Sequence, residues 1–148
     1  MKKENKESKT AVKNKKLTIK DLIAKKIAKK NNQHKVVEIE VGEGEVMEFI
    51  TPTQKEVFDY LDELDKMNAD NSVSTNDVVE VYADLIYKQC PSFHDKELIE
   101  SVKEEMEGHP ESDIVLLTFE RLDITKIGDK LIATSGIDMK KLQNEVKN

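Results

Sequence analysis

Cys90 and His94 are the residues whose types could do nucleophilic chemistry, because a thiol beside an imidazole can form an activated thiolate. Cys90, however, precedes Pro91 at the predicted end of a helix, whereas a thiol is acidified at a helix start. The same two residues, with His34 and His109, are the soft metal-ligand candidates. Zinc takes its ligands at set spacings, and the chain contains neither CxxC nor HxxxH. Its five glycines, Gly42, Gly44, Gly108, Gly128 and Gly136, form neither GxGxxG nor a P-loop. Gly42-Glu43-Gly44 puts an acid where a phosphate would sit, so it reads as a turn. The acid pairs Asp62-Glu63 and Glu104-Glu105 are sequence neighbours, which point apart on a helix. The expectation is an inert, buried thiol, surface histidines and solvated acids, with no catalytic residue, cofactor or metal. The chain reads as a binding protein, not an enzyme.

The elements that would carry these residues follow from hydrophobic periodicity. Residues 1–16 hold nothing that could build a core and read as a disordered, lysine-rich arm. Thr18 and Asp21 make a capping-box start for a helix over 17–31, with Ile19, Leu22, Ile23 and Ile27 as its stripe and lysines on the opposite face. Val37, Ile39 and Val41 alternate with acids, Gly42-Glu43-Gly44 turns the chain, and Met47 and Phe49 return on one face, giving a β-hairpin over 35–50. Two strands are marginal alone, so the hairpin must lie on helices or extend another molecule's sheet.

Residues 53–136 read as helical. One helix follows Thr51-Pro52-Thr53 with Glu56 and carries Val57, Tyr60, Leu61, Leu64 and Met67. A second starts at Ser74 with Asp77, turns Val78, Val81, Tyr82, Leu85 and Ile86 inward, and stops at Pro91. A third runs from Asp95 through Leu98, Ile99, Val102 and Met106 to Gly108. A short apolar helix through Ile114, Val115, Leu117 and Leu122 is expected at the core's centre. Asp123 is expected to cap a helix carrying Ile124, Ile127, Leu131 and Ile132, with Gly128 beside the stripe permitting close helix contact. Met139, Leu142 and Val146 form a last amphipathic piece over 137–148. The predicted class is α+β, mainly α: one N-terminal hairpin packed on five to six short helices, in a single domain over 17–136.

Charge is the most uneven property. Residues 1–30 hold 12 lysines against 3 acids, whereas residues 31–148 hold 12 basic groups against 27 acids, in a total of −6. Only Arg121 is arginine, and base-edge recognition favours arginine forks, which argues against a sequence-specific DNA reader. One cysteine leaves no internal disulfide and suits a reducing compartment. The start is basic but lacks a following apolar run, and the longest such run, Ile114 to Leu117, is far too short to span a bilayer. A cytoplasmic protein without membrane contact is expected.

The run Lys16-Leu17-Thr18-Ile19-Lys20-Asp21-Leu22-Ile23, a strand pair after it, then Cys90-Pro91-Ser92-Phe93, Lys96-Glu97-Leu98, Pro110 leading into Asp113-Ile114-Val115, and Ile127-Gly128 running to Ser135-Gly136 form a further pattern. Over residues 16–136 this resembles the tail assembly chaperones of PBSX-type prophages, the XkdN-like family. The resemblance implies a protein made in the bacterial host cytoplasm that binds the long helical tape measure protein and keeps it soluble. It also implies help for tail-tube subunits assembling around that protein, and absence from the finished phage tail or tail-like bacteriocin. Self-association is compatible with that role. The amphipathic stripes Ile19, Leu22, Ile23, Ile27 and Met139, Leu142, Val146 are the candidate partner-binding residues. The rival reading is a small cytosolic regulatory or adaptor protein whose basic arm touches nucleic acid.

Overall fold

The computed structural model describes residues 14–69 and 74–138. Most of the predicted arm and the predicted C-terminal stripe, Met139, Leu142 and Val146, lie outside the described residues. The chain divides into two compact units, residues 1–32 and 33–148.

The first unit carries helix α1, Ile19–Asn31. Thr18 begins it with a full capping box: the Asp21 N–H donates to the Thr18 hydroxyl at 3.2 Å, and the Thr18 N–H donates to the Asp21 carboxylate at 2.9 Å. Those bonds with Thr18 hold the Asp21 carboxyl below its ordinary value.

The second unit begins with an antiparallel hairpin of β1 (Val36–Gly42) and β2 (Glu45–Ile50). Val37 pairs with Phe49 and Ile39 with Met47, so the apolar alternation falls on one face, and Glu38 and Glu48 face each other on the other. Gly44 turns the chain at φ +74°. The buried side chains of Ile39 and Phe49 answer the open question of the hairpin: it packs on its own helices. The Thr51 N–H donates to the Lys35 carbonyl, which makes 35/51, 37/49 and 39/47 the hydrogen-bonded pairs. The polar groups of residues 36, 38 and 40, and of 46, 48 and 50, therefore point to the outer edges.

Five helices follow: α2 (Gln54–Ala69), α3 (Thr75–Gln89), α4 (Lys96–Ser101), α5 (Asp113–Thr118) and α6 (Arg121–Thr134), with a 3-10 turn at Pro91–His94. Together with α1 this makes a mainly helical α+β chain with six α-helices among the described residues. The Thr53/Glu56 and Ser74/Asp77 boxes form as their spacing predicts. Helix α3 is central and packs against α2, α5 and α6, while α6 also meets β1. Because it has neighbours on several sides, Val79, Ala83 and Gln89 are buried as well as Val81, Leu85 and Ile86, and no single stripe describes it. Where α3 meets α6, Gly128 lies against Tyr82; a Cβ at Gly128 would collide with the Tyr82 ring.

Three expectations change. Leu117 and Leu122 are exposed, not central: each lies two residues, about 200° of helix, from a buried partner, Val115 and Ile124 respectively. Ile114 and Val115 are the buried residues of α5, and Leu116 packs partly buried against the core beside them. Helix α6 is preceded by Glu120, not Asp123, because Phe119 and Glu120 are extended; the Phe119 ring meets Phe93 edge-on at 6.0 Å. Asp123 falls inside the first turn, where a carboxylate favours the dipole. Helix α4 ends at Ser101, seven residues before Gly108. Beyond it the N–H groups of Lys103 and Glu107 bond to carbonyls three residues back, at 3.4 Å each. Glu104, Glu105 and Glu107 would have crowded negative charge at the negative end of a longer helix.

Candidate partner-binding surfaces

The sequence-predicted stripe on α1 is open to solvent: Ile19 is 73%, Leu22 50%, Ile23 54% and Ile27 54% exposed. No residue of α1 is buried. The lysines do not keep to the opposite face. At about 3.6 residues per turn, Lys26 and Lys30 fall within the arc from Leu22 round to Ile27. The stripe is therefore a mixed surface, apolar residues interleaved with ammonium groups on long stems.

The second unit presents a cleft of about 970 Å³ where the chain turns between α4 and α5. Its apolar side is formed by Phe93, Ile99, Val102, Met106 and Ile114. Its rim carries Glu100, Glu104, Glu105, Glu107 and Glu111, with Lys103 as the lysine of the lining. Tyr87 donates its hydroxyl to Glu111 at 3.1 Å, and His109 Nδ1 meets the Asp113 carboxylate at 3.2 Å. Among the described residues, Glu100, Glu104, Glu105 and Glu107 have no cationic group within 4.0 Å. Sequence reasoning missed this cleft by treating 95–108 as one helix with a solvated acidic face. The signal was there: an acid run closed by Gly108 and Pro110 with only Val102 and Met106 to anchor it.

Cys90 and His94, which the sequence reading sets aside as a chemical pair, bond to different partners. Cys90 is fully buried, its S–H donating to the Glu48 carbonyl at 3.7 Å, and burial pushes its thiol pKa up. His94 is exposed; its Nε2 bonds the Tyr87 carbonyl at 2.9 Å and its ring lies 4.3 Å from the Tyr87 ring. His34 and His109 are exposed. Among the described residues, no group of three or more His, Cys, Asp or Glu is placed to hold a metal ion. In the same set, no helix is long and apolar enough to cross a membrane.

One polar cluster inside the second unit is structural. Burial works to raise the Glu56 carboxyl, but bonds from the Thr53 N–H, Gln89 and the Thr53 hydroxyl outweigh it and hold the carboxyl below its ordinary value. Gln89 donates to Glu56 at 3.1 Å and ties the start of α2 to the end of α3.

No family model matches the chain, and neither the curated proteins nor the solved structures contain a significant match to it.

Proposed function

We propose that this chain is a tail assembly chaperone: it binds the tape measure protein of a phage tail or a tail-like bacteriocin and keeps it soluble in the bacterial cytoplasm. It assists assembly of the tail tube and leaves before the particle is complete. The observation that carries the reading is the open apolar stripe of α1, on a chain whose residues 31–148 hold 27 acids against 12 basic groups. A holdase must offer apolar surface without precipitating, and net charge keeps such a body in solution. Long helical clients have apolar faces that match a helical stripe, so helix-on-helix contact is the natural mode.

Co-expression with a tape measure protein of a phage tail or tail-like bacteriocin tests the proposal. The client is expected in the soluble fraction and to copurify with this chain, and Leu22→Asp with Ile23→Asp is expected to abolish both. A client that stays insoluble and unbound beside abundant wild-type chain refutes the proposal.

A further inference from the structure

We propose that the acid-rimmed cleft between α4 and α5 receives helix α1 of a second copy of this chain. The contact needs only this chain and takes up the α1 face that a client would use, so the pair is the client-free form; sedimentation of the chain alone reads it separately from the identity of any client.

Charge complementarity selects the occupant. The cleft sets carboxylates beside apolar side chains: Glu100, Glu104 and Glu107 alternate with Ile99, Val102 and Met106. Helix α1 sets ammonium groups beside apolar side chains in the same way, Lys26 and Lys30 lying among Leu22, Ile23 and Ile27. An all-apolar helix would leave the rim carboxylates facing hydrocarbon, and an acidic one would be repelled. Within their own unit, and among the described residues, the lysines of α1 also have no carboxylate within 4.0 Å. Each surface thus carries uncompensated charge of the sign the other needs.

Size agrees with this. A helix about 10–12 Å across occupies on the order of 1,000 Å³ in two turns, close to the 970 Å³ of the cleft. Two turns, about seven residues, cover the stretch from Leu22 to Ile27. Reciprocal exchange, each copy lending α1 and each offering its cleft, closes a twofold dimer.

Sedimentation equilibrium on the full chain, from micromolar to near-millimolar concentration, reads the assembly directly. The mass of two chains is expected at high concentration and low salt. The dissociation constant is expected to rise about tenfold or more between low and molar salt, where screening shortens to a few ångströms. Ile23→Asp on α1 and the pair Glu104→Lys with Glu107→Lys on the rim alter exposed side chains, and circular dichroism checks that the variants stay folded. Each is expected to weaken association at least about tenfold, the loss of one buried aliphatic contact or its charge partners. Mixing the two variants restores one intact α1 and one intact cleft, so a 1:1 pair should reappear. A single-chain mass under every condition overturns the proposal. So does association indifferent to both variants, or a mixture that does not pair.

Discussion

Gly128 is where the packing of the second unit can be tested most sharply. Ordinary carbon contacts lie near 3.5–4.0 Å. A Cβ placed on Gly128 would stand 2.8 Å from Tyr82 Cε1 and 3.0 Å from Cγ, with Cδ1 nearer still. The ring is held on two sides: its hydroxyl donates to Asp129 at 2.9 Å, and it lies tilted against the Tyr60 ring at 5.7 Å between centroids. Gly128→Ala must therefore push α3 and α6 apart by about 1 Å or more, a gap that forfeits about half of the dispersion well at each contact it opens. Overpacking of this kind costs about 1–3 kcal/mol, and the severity of the collision places it in the upper half. Alanine returns about 1 kcal/mol of helix propensity. The net expectation is a loss of about 1–2 kcal/mol, a fall in Tm on the order of 5 °C. The chain has no tryptophan, so far-ultraviolet circular dichroism against temperature and urea is the assay. In a Tyr82→Ala background the obstacle is gone, and Gly128→Ala should then stabilise by about 1 kcal/mol. A higher midpoint for Gly128→Ala in the wild-type background refutes the close approach.

Three further outcomes follow from the same structure. Ile114→Ala should lose about 2–5 kcal/mol in urea melts and Leu117→Ala less than about 1 kcal/mol, since Ile114 is buried and Leu117 is 47% exposed; equal losses would contradict the orientation of α5. Cys90 should react with a disulfide reagent at pH 8 on the order of a thousandfold more slowly in the folded chain than in urea, being buried with a raised pKa, and fast native labelling would contradict its placement. The Glu56 carboxyl is held below its ordinary value in the fold, so its contribution is present above the unfolded pKa and is lost as pH falls through the lower, folded one. Glu56→Gln should accordingly flatten the decline in stability below about pH 4–5, whereas an unchanged acid limb would show that Glu56 is not bonded as described.

The legible parts of the fold were those that local chemistry decides. Each capping box is a contact between residues three apart, so Thr18, Thr53 and Ser74 announced helix starts that the structure contains. The hairpin face followed from alternation, which fixes a side chain's face once the register is set. What failed was whatever depended on neighbours far along the chain. Leu117 is as apolar as Ile114, and only the placement of α3 decides which side of a six-residue helix is covered; the same holds for Leu122 on α6. Val79 and Ala83 went unnoticed because a single-stripe template cannot describe a helix touched from several directions. The cleft was hidden for a related reason: periodicity carried the reading through Ser101, where accumulating acid charge ends the helix and opens the surface.

The edges of the hairpin bear on how this chain can recognise anything. A two-stranded sheet has two outer edges, and open edges invite another strand. On β1 the outward carbonyl of Glu40 accepts a bond from Lys130 of α6 at 3.1 Å. On β2 the outward carbonyl of Glu48 accepts the Cys90 thiol. Glu38 and Glu48 add like charges opposite one another on the exposed face, which an incoming strand would have to crowd further. Strand addition would thus break an existing contact on either side and gather carboxylates together. Helix docking breaks neither, and the exposed apolar side chains of α1 and of the cleft are helix-borne or helix-flanking. Of the surfaces described, the helical faces are therefore the ones a partner could meet without displacing the bonds at the Glu40 and Glu48 carbonyls.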